Sequence, residues 1–161
     1  MIMRVGQGFD VHRWSNERPL VLGGIPIPFE QGLLGHSDAD VLLHAIMDAL
    51  LGGAGLGDIG HHFPDTDPRY RNIDSRELLK TVRDALDTHR WTVANLDSTV
   101  ICQRPKLAPY IPAMRREIAQ ILHITPAQVN IKATTTEGLG FVGRNEGVAA
   151  QAIVLLEKNG S

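Results

Sequence analysis

The sequence predicts an α+β fold, a two-layer sandwich in which helices cover one face of a mixed β-sheet. Two observations lead to this class. Apolar residues recur with period two in some segments and with period 3.6 in others, and the predicted strands and helices are intermixed without strict alternation. A chain of 161 residues has the length of one domain, which we predict over residues 1–158, with a frayed tail over 159–161.

The N-terminal segment predicts a strand followed by a hairpin. Residues 3–11 are typical of a strand, although Gly6 and Gly8 weaken the pattern. Residues 19–28 place apolar side chains on both sides of a Gly-Gly pair, which is typical of a two-residue hairpin turn.

The first helix is predicted to begin at Ser37 or Asp38 and to run to about Leu51. Either residue can cap a helix, and the Gly-Gly pair after Leu51 is a stop signal. Residues 52–70 then contain many Gly, Asp and Pro residues and show no periodicity. An irregular stretch of this length is more often functional or mobile than merely connecting.

The C-terminal half predicts two further long helices, a short fourth helix and three strands. A segment from residue 74 or 75 to 89 carries a helical apolar stripe, and residues 91–103 alternate as a strand does. The remaining elements are a helix over 108–122, a short helix opened by Thr125 and Pro126, and strands over 129–135 and 147–156.

The composition gives no sign of a nucleic-acid or membrane partner. The formal net charge is -2, and no run of basic residues occurs. No apolar stretch approaches the roughly 20 residues of a membrane span, and the first residues lack a signal-peptide pattern. The single cysteine, Cys102, excludes an internal disulfide and a Cys-rich zinc site. We therefore expect a cytoplasmic protein.

Two histidines and one aspartate suggest a metal site with an open position. Asp10 and His12 are two residues apart on a predicted strand, so both side chains point to one face. His44 lies in a helix that is apolar nearly all round, where a buried imidazole needs a partner. The alternative is that His44 simply pairs with Asp40 or Asp48, one turn away on the same helix.

Three other segments are rich in polar groups. The 36–38 segment stands at a helix N-terminus, which favours an anion but is also explained by capping. Segment 58–67 gathers three carboxylates and two histidines, which could bind metal, sugar hydroxyls or water, or could be solvated turns. The 132–144 and 103–106 segments join hydroxyls, glycines and cations, a combination that suits phosphate.

Two Gly-x-Gly-x-x-Gly sequences, at 55–60 and 138–143, do not predict a dinucleotide-binding fold. Such a site needs a strand before the glycines and a helix after them. The first sequence follows a helix and leads into Pro64, and the second lies between strands with too little chain left for a βαβ unit.

Together, these motifs resemble those of the 2-C-methyl-D-erythritol 2,4-cyclodiphosphate synthase family, in order from about residue 3 to 157. Each motif is weak alone, but six in sequence are highly specific. The matching motifs are Asp10-Val11-His12, His36-Ser37-Asp38-Ala39-Asp40, Asp58-Ile59-Gly60, Phe63-Pro64-Asp65-Thr66-Asp67, Pro105-Lys106 and Lys132-Ala133-Thr134-Thr135-Thr136-Glu137, with Phe141 and Arg144.

The resemblance implies an enzyme of the non-mevalonate isoprenoid pathway. Such an enzyme cyclises 4-diphosphocytidyl-2-C-methyl-D-erythritol 2-phosphate and releases CMP. The substrate's own 2-phosphate attacks the β-phosphorus, so the site has to position and neutralise charge and needs no protein base. The resemblance also implies a homotrimer with active sites between adjacent subunits.

The resemblance assigns metals to named residues. Asp10, His12 and His44 match the ligands of one zinc ion (Zn2+) per subunit, whose open position would take a substrate phosphate oxygen. Glu137 matches the ligand of a second divalent ion, Mg2+ or Mn2+.

The remaining roles implied by the resemblance fall into three sets. The catalytic residues that position phosphates and stabilise the transition state would be His36 and Thr135. The substrate-binding set consists of Ser37, Asp58, Ile59, Gly60, Phe63, Pro64, Asp65, Thr66, Asp67, Phe141 and Arg144. The nucleotide-binding set consists of Cys102, Gln103, Arg104, Pro105, Lys106, Leu107, Ala108, Thr134 and Thr136.

Two alternatives use the same residues differently. A zinc- or iron-dependent phosphoester hydrolase would keep the metal ligands, because two histidines and one carboxylate also suit non-haem iron. It would yield a linear product instead of a ring. A non-catalytic trimer that binds cytidine nucleotides would be indifferent to a chelator.

Overall fold

Helices cover one face of a five-stranded mixed sheet, which confirms the predicted α+β class. The computed structural model describes residues 1–160. Its strands are β1 (Ile2–Ser15), β2 (Leu20–Leu22), β3 (Ile25–Ile27), β4 (Gly32–Leu33), β5 (Thr92–Ile101), β6 (Val129–Thr134) and β7 (Gly147–Lys158). The sheet order is β4-β1-β7-β5-β6, with only β5 and β6 parallel, and β2 pairs with β3 in a separate hairpin.

The helical layer rests mainly on β1 and β7. Helix α1 packs on both of these strands, α3 packs on α1, and α4 packs on α3 and β6. The helices are α1 (Val41–Ala54), α2 (Ile59–His62), α3 (Ser75–Thr88), α4 (Ile111–Leu122) and α5 (Gly140–Gly143), with 3-10 turns at Pro68–Tyr70, Ala108–Tyr110 and Pro126–Gln128.

Alternate residues of β1 face opposite sides of the sheet. Gly6 and Gly8 are buried under α1, and the same side carries Asp10 and His12 further along the strand. The residues between them face away from the helices and are exposed, among them Phe9 at 52%. This alternation follows from the pleat of a strand.

The two glycines that weakened the strand prediction prove to be the reason that α1 can lie so close. A Cβ added at Gly6 would be 1.9 Å from the carbonyl oxygen of Ala49, and one at Gly8 would be 1.9 Å from that of Ala45. Any side chain at either position would push the helix away from the strand.

The predicted first and last residues of the first helix, Ser37 or Asp38 and about Leu51, were both wrong. Its cap is Asp40, which accepts a hydrogen bond from the Leu43 backbone N–H, and the helix ends at Ala54, followed by the C-cap Gly55 with φ 73°. Asp38 instead accepts hydrogen bonds from Ser75, across to α3. The Gly-Gly pair at 52–53 lies inside the helix, because burial of Gly53 against Gly6 of β1 outweighs the low helix propensity of glycine.

The other predicted elements are confirmed with shifts of a few residues. Asp74 caps α3, and Gly23 and Gly24 form the turn of the β2–β3 hairpin. Thr125 and Gln128 form a capping box. Strand β4 and helix α5 were not predicted, because each is too short for its apolar residues to show a strand or helix periodicity. The irregular 52–70 stretch contains α2 and a 3-10 turn.

Among residues 1–160, none of the helices combines the length and apolar character that a membrane span requires. Asn159 and Gly160 follow β7 without regular structure, and Ser161 lies outside the described residues, so the frayed tail stays a prediction.

Candidate metal centre and adjoining cavities

Asp10, His12 and His44 bring three ligand atoms to one point, and we call them the metal cluster. The carboxylate atom Asp10 Oδ2 lies 2.8 Å from His12 Nε2 and 3.1 Å from His44 Nδ1. The two ring nitrogens are 3.2 Å apart. The strand supplies the first two residues and helix α1 supplies the third, so the close approach at Gly8 brings His44 within reach of them.

The outer nitrogen of each ring has an acceptor that fixes the tautomer. His12 Nδ1 lies 2.8 Å from the Leu34 carbonyl oxygen and donates to it. His44 Nε2 lies 3.1 Å from the hydroxyls of both Ser37 and Ser75, and the Ser75 hydroxyl in turn donates to Asp38 at 2.5 Å. The inner nitrogens are therefore left with lone pairs.

The donor set fits a divalent cation. Two imidazole lone pairs facing each other at 3.2 Å beside a carboxylate repel unless a cation lies between them. Three protein ligands of this kind leave one coordination position open, which is the pattern of a catalytic metal site.

The alternative for His44 is wrong, because its imidazole contacts neither neighbouring aspartate on the helix. Asp40 accepts from the backbone N–H groups of Gly23 and Gly24 at 3.0 and 2.7 Å, which ties the hairpin turn to the start of α1. Asp48 accepts from Ile59 at 2.8 Å and anchors the start of α2.

Asp10 and His12 keep each other charged. Burial alone would raise the pKa of the Asp10 carboxyl, but the hydrogen bonds and charges of the two imidazoles outweigh it and lower this pKa to about 2. Burial opposes protonation of His12, yet the Asp10 carboxylate raises the pKa of His12 above its ordinary value of 6.5. Without metal, a proton bound to His12 supplies the positive charge that offsets the Asp10 carboxylate.

A cavity of about 420 Å³, the front cavity, opens directly onto the metal cluster. Many of the predicted catalytic and substrate-binding residues line it together. Those residues are His36, Ser37, Ile59, Gly60, Phe63, Pro64 and Asp65. The sequence-based assignment missed four further lining residues, Gly35, Met47, Tyr70 and Leu78.

Within segment 58–67, three predicted substrate-binding residues do not line the front cavity. Asp58 caps α2 by accepting from the His61 N–H at 2.8 Å. The Asp67 side chain pairs with Arg69, while its carbonyl oxygen accepts from His36 Nε2 at 3.0 Å. Thr66 is exposed beside them.

A second cavity of about 210 Å³, the 102–108 cleft, gathers most of the predicted nucleotide-binding set. It is lined by Cys102, Gln103, Pro105, Lys106, Leu107, Ala108, Ala133, Thr134 and Thr135. Arg104 and Thr136 do not line it, and the Arg104 guanidinium lies over the Phe29 ring at 5.6 Å. Burial raises the pKa of the Cys102 thiol to about 11, so this cysteine is an inert part of the wall.

Glu137, Phe141 and Arg144 line neither cavity and lie in or beside an exposed loop. Glu137 has φ 54°, and its backbone N–H donates to the Thr135 hydroxyl at 3.1 Å. Arg144 pairs with Glu146 at 2.8 Å. The described part of one chain does not bring Glu137 into the metal cluster, so its role as a metal ligand stays a prediction.

Two supporting residues escaped the sequence analysis altogether. Ser75 accepts from a metal-cluster imidazole, and Arg18 donates to the carbonyl groups of Gly35 and Ser37. Neither belongs to a motif, and each acts on a residue far away in the sequence. Ser75 directly follows the helix cap Asp74, so the sequence suggested for it only a role at the start of a helix.

Nearly the whole chain is similar to known proteins of one family. Residues 3–157 match the YgbB family. A Clostridium perfringens protein named 2-C-methyl-D-erythritol 2,4-cyclodiphosphate synthase is 59% identical over 156 residues, which cover 97% of this chain and 100% of that protein.

Solved structures agree with the sequence match. The bifunctional IspDF from Campylobacter jejuni superposes with a TM-score of 0.94 at 46% identity, covering 98% of this chain and 43% of that one. The CDP complex of IspF from Plasmodium falciparum gives a TM-score of 0.87 at 32% identity, covering 98% of this chain and 97% of that one. This chain thus spans less than half of the bifunctional protein and nearly all of the other two.

Proposed function

The chain belongs to the YgbB family, and we propose that its metal cluster and front cavity form the part of the active site where the ring closes. The activity is that of a 2-C-methyl-D-erythritol 2,4-cyclodiphosphate synthase, a phosphorus-oxygen lyase of isoprenoid precursor biosynthesis that releases CMP. The observation that carries the proposal is the meeting of three ligand atoms at the mouth of a cavity.

We assign zinc to the metal cluster. Two neutral imidazole nitrogens and one carboxylate oxygen are a common zinc donor set, and the outer hydrogen bonds already hold both rings in the tautomer that a metal needs. A divalent metal bound there supplies Lewis acidity toward a phosphate oxygen.

The protein's own part in the reaction is positioning and charge neutralisation. His36 and Ser37 form part of the wall of the front cavity beside the metal cluster. The Ser37 hydroxyl can donate to a phosphate oxygen, and an imidazolium at His36 could do so from Nδ1 while Nε2 stays on the Asp67 carbonyl oxygen. Residues of the 59–65 segment line the same cavity, and we assign the methylerythritol part of the substrate to them. The substrate's 2-phosphate is itself the nucleophile, so in-line alignment replaces proton abstraction.

The 102–108 cleft is our candidate for the cytidine diphosphate part of the substrate. The Lys106 side chain offers a cation and Thr134 and Thr135 offer hydroxyls at its rim, which suits a diphosphate. Glu137 follows these threonines and supplies the carboxylate for a second divalent ion, Mg2+ or Mn2+. The relative solved with CDP gives the cleft its expected ligand class.

We propose a homotrimer whose active sites lie between adjacent subunits. The sheet face opposite the helices is uncovered and carries exposed apolar side chains, with Val5 70% exposed and Ile153 56% exposed. Such a face is typical of a protein–protein interface. Association would also explain why neither Glu137 nor the 102–108 cleft belongs to the front cavity of the same chain. The cytoplasmic location stays a prediction.

The test is phosphorus NMR with the diphosphocytidyl methylerythritol phosphate substrate, with and without chelator. We expect the cyclic diphosphate and CMP, and their loss when the metal is removed. A linear phosphate product would favour the hydrolase. Nucleotide binding without turnover, in metallated protein and insensitive to chelator, would favour the binding trimer.

A further inference from the structure

We infer that Arg18 is a positioning residue for the reaction, holding His36 and Ser37 in place from behind the front cavity. The inference rests on the proposed function, since it takes these two residues as parts of the substrate site. Arg18 lies between β1 and β2 and does not line the front cavity, so it acts through other residues.

A single stretch of backbone separates two cavities. Gly35 and His36 line both the front cavity and a back cavity of about 560 Å³. The back cavity is lined on its other side by Arg18, Arg71 and Asn72. The wall that carries the predicted catalytic histidine is therefore thin, and it depends on whatever supports it from behind.

The backbone N–H of Asn72 supports this segment at the His36 carbonyl oxygen, 2.7 Å away. The Arg18 guanidinium provides the side-chain part of the support through two hydrogen bonds. One terminal N–H donates to the Gly35 carbonyl oxygen and the other donates to the Ser37 carbonyl oxygen. These two acceptors flank His36. A planar guanidinium presents two donors at a fixed spacing, which an ammonium group cannot do.

The held segment touches the metal cluster at two points, and the His36 ring is tied down at a third. The Ser37 hydroxyl lies 3.1 Å from His44 Nε2, and the His36 ring is tied to the Asp67 carbonyl oxygen at 3.0 Å. Gly35 lies against His12, because an added Cβ there would be 3.0 Å from the ring carbon Cε1. Displacement of this segment therefore moves His36 and the support of the metal ligands together.

Arg18→Ala tests the inference in the metallated enzyme. We expect kcat to fall on the order of 10²-fold, the typical cost of misplacing a reacting group by about 1 Å. KM should change much less, because the 102–108 cleft is untouched. Amide hydrogen exchange of residues 35–38 should become faster.

Chemical rescue separates positioning from general stability. Guanidinium ion at millimolar, non-denaturing concentration should enter the back cavity, restore part of kcat in Arg18→Ala, and slow exchange at 35–38 again. The wild-type enzyme should not respond. Arg18→Lys keeps the charge but loses the two-pronged geometry, so it should recover only part of the activity.

Arg71→Ala is the matched control, since Arg71 lines the same cavity, is exposed and donates to neither carbonyl group. It should keep wild-type kcat.

Wild-type kcat in Arg18→Ala would overturn the inference, as would a loss of kcat with unchanged exchange at 35–38 and no rescue. If Arg18→Ala does not fold, kcat and amide exchange at 35–38 are compared with wild type in Arg18→Lys and Arg18→Gln instead. A wild-type enzyme that makes no cyclic product would instead refute the proposed function.

Discussion

The metal cluster and the 102–108 cleft are held in opposite ways. Around the metal cluster, both imidazole ligands are backed by a second group, the Leu34 carbonyl oxygen behind His12 and the serine hydroxyls behind His44. Around the cleft, Lys106 and Thr134 are exposed, and the following loop is fixed mainly by its own turns.

This difference indicates which part of the site a single chain completes. A group whose partners are all within the chain is preorganised and cannot adapt without cost. Exposed side chains on a loop can adapt to a ligand or to a neighbouring subunit. We therefore expect changes at the metal cluster to affect metal binding and chemistry, and changes at the cleft to affect substrate affinity.

The largest effect should come from His44→Ala. The variant loses one of three metal ligands, and we expect it to lose the metal and to fall in turnover by at least about 10²–10³-fold. Metal content and turnover are measured on the same sample. His61→Ala is the control, because His61 is exposed and outside the metal cluster. Normal metal content with normal activity in His44→Ala would contradict the assignment.

The second effect should come from Gly8→Ala, which alters no ligand. The new methyl group would meet the Ala45 carbonyl oxygen, so α1 must move away from β1, at a cost of roughly 1–3 kcal/mol in the free energy of unfolding. Metal affinity should fall as well, since His44 moves with the helix.

Gly52→Ala provides a control of opposite sign on the same helix. The nearest atom to its added Cβ is 3.9 Å away, and the position is exposed. The change should stabilise the protein by about 0.5–1 kcal/mol, as alanine does in helix interiors. Equal stability of the two variants, measured by denaturant unfolding, would refute the close-packing argument.

The third expected effect is a fall in metal affinity as the pH falls. Because Asp10 raises the pKa of His12, the metal-free cluster binds a proton on His12 below that pKa, and metal must displace it. The apparent Kd should then rise about tenfold per pH unit for each proton displaced. Asp10, with its pKa near 2, adds nothing above pH 4.

The same two shifts act on the metal-free fold with opposite signs. The raised pKa of His12 stabilises the fold below pH 6.5, and this contribution is lost as the pH rises through the folded-state value. The lowered pKa of Asp10 stabilises it above pH 3.8, and this contribution is lost as the pH falls toward 2. Calorimetric titration with zinc and unfolding curves across this range check both statements, and a pH-independent Kd would contradict the first.

The smallest effect should come from Lys106→Met in the 102–108 cleft. An exposed cation on a diphosphate contributes about 1.5 kcal/mol, so KM should rise roughly tenfold while metal content stays normal. Arg104→Met is the control, because Arg104 points away from the cleft toward Phe29. A loss of metal in Lys106→Met would show that the two regions are not independent.

The sequence predicted the elements whose signals are local. The hairpin needs only its Gly-Gly pair, and α3 needs only its cap and its apolar stripe. The true ends of α1 could not be predicted, because Gly6, Gly8 and Gly53 act together across two elements. Glycine looks like a breaker within its own segment and becomes a packing surface only when a partner is known.

The same distinction holds for the site. Residue type and periodicity made the three residues of the metal cluster candidates beside an alternative pairing of His44, and the resemblance assigned them as ligands. The resemblance also added most of the residues that line the two cavities. The groups behind them could not be chosen. Ser75 and Arg18 have ordinary sequence surroundings, and their partners are 31 and 17 or 19 residues away along the chain.

The alternation along β1 has a consequence for how this strand can evolve. One face of the strand carries the metal ligands, and the other carries the apolar residues proposed to meet a neighbouring subunit. Deleting or inserting one residue before Asp10 would exchange the two faces, sending the ligands outward and the apolar side chains under the helix. Length changes in this strand can therefore be accepted only two residues at a time. In a library of insertions selected for activity, two-residue insertions should survive and one-residue insertions should not.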